Sequence, residues 1–295
     1  MNRPHSPAWH DQQYDARSGI PEQAAIRQGW VERSAHTRAT VPCQLDVPYG
    51  SHASEKLDIF ASPASNKAPV LVYIHGGYWR ALDKQDQSFV AAPFVLAGAL
   101  VVVPNYALAP AVTVRHIVWQ MVHAVAWVHR HIHRHGGDPQ RIVVAGHSAG
   151  GHLAAMMLAC PWAEVGADLP AQLVHAALAL SGVFDVEPLR HAPFLAPDLK
   201  LSAAEARALS PALMPAPKHG QLVALVGGDE TAEFQRQNRL IQQAWGPQRV
   251  PVCEVVPGRH HMNVLHTLAE PDSRPHSLAL GLLGLLGLHA AADGA

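Results

Sequence analysis

The 295-residue chain is poor in charge and in cysteine. Charged residues make up 15% of it and nearly cancel, to a formal net charge of -1, so it carries no electrostatic footprint for nucleic acid or an anionic membrane. Its three cysteines, Cys43, Cys160 and Cys253, are odd in number, widely separated and without metal-ligand spacing. They read as small buried hydrophobes rather than as disulfide partners or ligands. No stretch approaches the roughly 20 uninterrupted apolar residues of a membrane span. The N-terminal Met1-Asn2-Arg3-Pro4-His5-Ser6-Pro7 lacks the apolar core of a signal peptide. These absences predict a cytoplasmic chain without nucleic-acid or membrane partners; a homodimer stays open.

What is abundant is apolar residue, 48% of the chain, enough at this length for one large core. Histidine is plentiful too, at 21 residues. His129, His131, His133 and His135 crowd the end of an expected helix, where i,i+4 pairs are spaced to share a metal. They alternate with Arg130 and Arg134, and cationic groups suit the C-terminal end of a helix dipole, so no metal is expected.

Residues 1–40 are polar and rich in Arg and His, an arm with a short helix around Pro21 to Val31. Eight apolar, β-rich runs follow: Cys43 to Tyr49, Lys56 to Phe60, Val70 to His75, Leu100 to Pro104, Ile142 to Ala145, Ala176 to Leu180, Leu222 to Val226 and Val252 to Val256. The first two flank a Gly50-Ser51-His52 turn and should form a hairpin. From Val70 onward, strands alternate with helical stretches at about Asp86 to Leu96, Val112 to His135, Gly150 to Ala159, Glu233 to Gln243 and Pro275 to Leu288. Alternation of this kind requires crossovers and so a mostly parallel sheet with helices on both faces. The expected domain spans 41–290, with a tail at 291–295. One proline-rich segment, 184–211, interrupts the alternation after a strand end, where open α/β sheets bind ligands, and it reads as a small cap with a short helix near Ser202 to Ala208.

Gly146-His147-Ser148-Ala149-Gly150 directly follows the strand Ile142 to Ala145 and leads into helix-forming residues. A strand, G-x-S-x-G and a helix in that order make the nucleophile elbow of a serine hydrolase, with Ser148 exposed on a tight turn. A serine hydroxyl needs a histidine to take its proton and an acid to orient that histidine. In this arrangement the order is Ser, acid, His, with the last two on loops after late strands. Those loops hold Asp229 and Glu230, then His260 and His261, and spacing alone does not choose within either pair. Donors for the oxyanion of acyl transfer fall on the N–H of Ala149 and on the glycine-rich loop His75-Gly76-Gly77-Tyr78-Trp79.

His75-Gly76-Gly77-Tyr78-Trp79, Gly146 to Ala154, Ser181-Gly182-Val183-Phe184-Asp185 and Glu233-Phe234-Gln235-Arg236-Gln237 together resemble the kynurenine formamidases (arylformamidases) of α/β-hydrolase type, within the esterase group that carries the His-Gly-Gly motif. Tyr49-Gly50 and Glu55 to Ile59 extend the likeness, which runs from about residue 14 to the last helix. The resemblance implies the α/β-hydrolase fold and cofactor-free hydrolysis of the aryl formamide N-formyl-L-kynurenine to kynurenine and formate, in tryptophan catabolism. It puts the nucleophile on Ser148, the base on His261, which an apolar residue follows, and the acid on Glu230, with Asp229 as the alternative. Gly76, Gly77 and Ala149 would form the oxyanion hole. Tyr78, Trp79 and Phe184 are the candidate aromatic wall for the leaving group. A carboxylesterase for small aryl or alkyl esters needs the same machinery. A non-catalytic binding protein on a hydrolase scaffold would use the fold without it.

Overall fold

The computed structural model describes residues 5–62 and 65–286, and the eight expected strands join in one sheet. They are β1 (Cys43–Pro48), β2 (Lys56–Phe60), β3 (Ala68–Ile74), β4 (Leu100–Pro104), β5 (Gly137–His147), β6 (Val174–Leu180), β7 (Gln221–Gly227) and β8 (Val252–Val256). Their order is β1-β2-β4-β3-β5-β6-β7-β8. The first two pair as an antiparallel hairpin, β2 runs antiparallel to β4, and the remaining strands are parallel. The sheet therefore delivers the C-terminal ends of β3, β5, β6, β7 and β8 to one rim.

Central strands are apolar at every position because both faces of the sheet are covered. Along β3, Val70, Val72 and Ile74 enter one buried cluster, whereas Leu71 and Tyr73 enter the other, as the two-residue period of a strand requires. β5 begins at Gly137, before the apolar run, because Gly137 pairs with Ala68; the register then shifts past the polar residues and resumes at Ile142, opposite Val70.

The helices among the described residues are α1 (Pro7–Tyr14), α2 (Gln23–Thr40), α3 (Ala91–Leu96), α4 (Val114–His131), α5 (Ala149–Ala159), α6 (Trp162–Val165), α7 (Ala196–Leu199), α8 (Ala203–Ala208), α9 (Ala232–Trp245) and α10 (Arg274–Leu283). Where one helix was expected from about Asp86, two 3-10 turns, Lys84–Asp86 and Ser88–Val90, precede α3. Asp83 and Asp86 cap each other's backbone and close the first turn. At the chain's end, Gly284 takes a left-handed conformation at φ 70° and stops α10. Residues 287 and 288 of the expected helix, and the tail at 291–295, lie outside the described residues. The histidines at the end of α4 turn to main chain: His131 Nδ1 lies 2.9 Å from the Trp127 carbonyl and His129 Nδ1 3.2 Å from that of Pro139.

The arm departs most from expectation, forming two helices instead of one. Ser6 caps α1, accepting from the N–H of Trp9, with Pro7 in the first turn. The 18-residue α2 buries only Trp30, Ser34 and Thr37, too sparse an apolar stripe to announce itself by periodicity. Both helices lie against the rest of the molecule: the Trp30 indole N–H donates to His266 Nε2 at 2.9 Å, and Ser34 Oγ accepts from the N–H of Phe89 at 3.1 Å. Segment 184–211 holds α7 and, as the expected short helix, α8, which Ser202 caps, and Leu189, Leu195, Leu199 and Leu209 anchor it in the main core.

His152 on α5 joins the elbow helix to this segment. It is fully buried, donates from Nε2 to the Leu209 carbonyl at 2.7 Å and meets Trp79 edge-on at 4.9 Å. Burial lowers its pKa from 6.5 to about 4. The unfolded chain thus binds a proton there in a window where the native chain does not, so stability is full above pH 6.5 and falls as pH drops toward 4. Up to ~3 kcal/mol is expected from this residue alone. Urea unfolding at pH 7, 5.5 and 4.5 should show stability declining toward acid, with a shallower decline in His152→Gln; equal slopes would contradict the assignment.

Candidate active site

Strand β5 passes into α5 through Gly146 to Gly150, and Ser148 sits at the bend with φ 57° and ψ -119°. A non-glycine residue keeps such a conformation only where its surroundings over-determine it. Its N–H donates to the Leu180 carbonyl on β6 at 2.8 Å. An added Cβ at Gly150 would stand 2.0 Å from the Ile74 carbonyl oxygen, and one at Gly146 2.2 Å from that of Gly150. Both positions are therefore closed to any side chain. Ala149 opens α5, so its N–H is among those that a helix leaves without an intrahelical acceptor.

At the end of β7 the chain folds back and buries Glu230 while leaving Asp229 exposed. One Glu230 oxygen accepts from the N–H of Gly227 at 2.7 Å and from the Ser181 hydroxyl at 2.5 Å. The other lies 2.6 Å from His261 Nδ1, and the carboxylate side chain is wholly shielded from solvent. His260 faces the arm instead, with Nε2 3.0 Å from Glu22 and Nδ1 accepting from the N–H groups of Met262 and Asn263. The structure thus brings Glu230 and His261 together, and not Asp229 or His260. With Nδ1 donating to Glu230, His261 Nε2 is left as the basic nitrogen.

The imidazole of His261 is held between two rings, Phe234 of α9 at 4.5 Å and His147 at 4.8 Å. His147 donates from Nε2 to the His261 carbonyl at 2.8 Å. Burial, foremost, pushes the His147 pKa well below its ordinary value, so it stays neutral and places no second positive charge beside His261.

After β3, Gly76 and Gly77 shape the third part of the site. The Gly76 carbonyl accepts from His75 Nδ1 at 2.8 Å and from the Tyr106 hydroxyl at 3.2 Å. Gly77 takes φ 105°, and a Cβ there would stand 2.1 Å from the Ala81 carbonyl oxygen. Tyr78 and Trp79 are left-handed as well, at φ 51° and 56°. Gly77, Ser148 and His261 all line one cavity.

Of the three aromatic candidates, only Tyr78 lines that cavity. Trp79 and Phe184 are corrections: both are fully buried, Trp79 against His152 and Phe184 against the backbone of Gly182. Consecutive residues of a tight loop take different sides, so one of the pair Tyr78-Trp79 faces the cleft and the other the core. The aromatic wall is completed by Trp30 from the arm and Phe194 from segment 184–211. Phe194 stood within the stretch read as a cap, whereas Trp30 had no sequence signal.

Two motifs without an assigned task find one here. Ser181 supplies a hydroxyl to Glu230. Gln237 accepts from the N–H groups of Phe184 and Asp185, both at 2.8 Å, and donates to the Tyr14 hydroxyl at 3.1 Å. Tyr14 in turn donates to Glu233, which Arg236 pairs at 2.6 Å. The Glu233 to Gln237 motif is thus a socket for the arm.

A family model described as BD-FAE matches residues 57–172, from β2 past the elbow. Over 292 residues the chain is 29% identical to the kynurenine formamidase of Salmo salar, covering 96% of this chain and 96% of that one. Among solved structures it is similar to a candidate thioesterase from Silicibacter sp., 28% identical with a TM-score of 0.80 over 93% of this chain and 98% of that chain. An esterase from Pyrobaculum calidifontis, 19% identical with a TM-score of 0.67 over 96% of this chain and 99% of that chain, shares the fold. Sheet order, elbow and these likenesses make the protein an α/β-hydrolase and its activity hydrolytic. Within that class its resemblance to the kynurenine formamidases runs the length of the chain. No helix among the described residues is long and apolar enough to cross a membrane.

Gly77→Ala tests the loop. Strained φ and the clash with Ala81 together should cost at least ~2 kcal/mol in urea unfolding, with hydrolase activity falling alongside; a variant as stable and active as the parent would show that the loop tolerates a side chain.

Proposed function

We propose that the chain hydrolyses N-formyl-L-kynurenine to kynurenine and formate, with Ser148 as nucleophile, His261 as base and Glu230 as the acid that orients it, and with no cofactor. The observation that carries this reading is the buried Glu230–His261 pair on the cavity that Ser148 lines, in a chain similar over its whole length to a protein named kynurenine formamidase.

His261 Nε2 takes the Ser148 proton as Oγ adds to the formyl carbon. Charge develops on the carbonyl oxygen, where the N–H of Ala149 and those of the Gly76-Gly77 loop stabilise it. Glu230 holds the imidazole in the required tautomer and stabilises its cation. The carbon–nitrogen bond then breaks as His261 returns the proton to the departing arylamine. Water, deprotonated by His261, attacks the formyl ester; formate leaves and the proton returns to Ser148. A formyl group needs almost no acyl pocket, which fits the crowding on the loop side of the serine: a Cβ at Gly76 would lie 3.1 Å from that of Ser148. The three cysteines are unpaired, and this reading sets the enzyme in the reducing cytoplasm, in tryptophan catabolism.

Ser148→Ala should reduce turnover of N-formylkynurenine to background with the fold intact. Glu230→Gln should cost about 10²–10⁴ in kcat, and Asp229→Asn no more than about threefold; the reverse ranking would move the acid to Asp229. Esterase-named relatives favour a second reading, a carboxylesterase for small esters. Specificity constants on N-formylkynurenine and p-nitrophenyl acetate separate the two, a much larger value on the ester deciding for the esterase.

A further inference from the structure

Because a formyl group takes so little room, the cavity beside Ser148 belongs to the leaving group, and what lines it describes that group. Its body is apolar, with Trp30, Tyr78, Phe194 and Met262 in the wall. Its charged residues are Asp15, Arg17, Arg27 and Arg80. Arg80 is already committed, paired with Asp198 and donating to the Phe194 carbonyl at 2.7 Å. Arg17 and Arg27 are exposed and take no ion-pair partner among the described residues. One oxygen of Asp15 accepts from the N–H groups of Arg17 and Ser18, at 3.3 and 3.2 Å. An aromatic pocket with two uncommitted guanidinium groups and one carboxylate at its mouth matches an aryl amino acid, whose zwitterion carries one anionic and one cationic group.

Asp15 and Arg27 sit on elements that are fastened down. Asp15 ends α1, whose Tyr14 carbonyl accepts from the Tyr78 hydroxyl at 2.6 Å. Gln13 accepts from the Thr231 hydroxyl at 2.7 Å, and Asp11 from the N–H of Phe194 at 3.1 Å. Arg27 lies three residues before Trp30 on α2, hence on the same helix face, and Trp30 is held by His266. A guanidinium group carried on a fixed element offers a carboxylate paired, directional donors at reduced ordering cost.

We infer that the N-terminal arm supplies the leaving-group subsite, and that Arg17 and Arg27 hold the α-carboxylate of an aryl amino acid while Asp15 meets its ammonium. This assignment rests on the formamidase reading for the identity of the leaving group, but it is a statement about binding and is tested without turnover. Calorimetric titration of the intact protein with kynurenine and with kynuramine, which lacks only the carboxylate, reads the contribution directly. Kynurenine should bind at least ten-fold more tightly, the ratio should fall below three-fold in Arg17→Ala/Arg27→Ala, and Arg27→Lys should keep part of it. Equal affinities, no binding of either compound, or a ratio unchanged in the double variant would overturn the inference. Failure of the formamidase reading is a separate result, the absence of N-formylkynurenine turnover by the parent enzyme.

Discussion

A carboxylate withdrawn from water needs hydrogen-bond donors around it, and at Glu230 those donors come from three places in the fold. Ser181 follows β6, Gly227 ends β7, and His261 lies on the loop after β8. An ionised group left buried with a donor missing would cost several kcal/mol, so the three loops are set relative to one another by this single side chain. The His261 imidazole is placed as a consequence. Asp229, one residue earlier and exposed, lacks the surroundings to do the same.

The serine side of the site is governed by backbone rather than charge. Gly146 and Gly150 let β5, α5 and the end of β3 approach so closely that no side chain fits between them, and Ser148 is held in a conformation it would not adopt alone. Because Gly76 follows the same end of β3, the Gly76-Gly77 loop and Ser148 share one framework. The two halves meet through His147, which lies next to Ser148 and donates to the His261 carbonyl. Its neutrality keeps the surroundings of His261 free of a competing cation.

The cavity beside Ser148 is also lined by the arm and by segment 184–211. The arm is seated by polar contacts, from Tyr14 to Glu233 and Gln237 and from Trp30 to His266, and segment 184–211 brings Phe194 to the same cavity. The place of the arm depends on these long-range hydrogen bonds more than on helix propensity.

The strands, the elbow at Ser148 and the loop at Gly76-Gly77 were legible in the chain because each is determined locally: uninterrupted apolar residues mark a strand covered on both faces, and glycines at fixed offsets mark a turn that admits no Cβ. In the arm only the first part of α2 was legible, and α1 and the rest of α2 were not, since α2 is held by a few buried residues whose partners lie far along the chain. The same reason separates Tyr78 from Trp79 and replaces Phe184 with Trp30 and Phe194 in the cavity wall, because burial of an aromatic ring is decided by what lies opposite it. Reaction type and fold class followed from the sequence by itself. Which carboxylate meets which imidazole, and which residues close the cleft, were decided only by the tertiary structure, where burial and hydrogen-bond partners come from residues up to 238 positions apart.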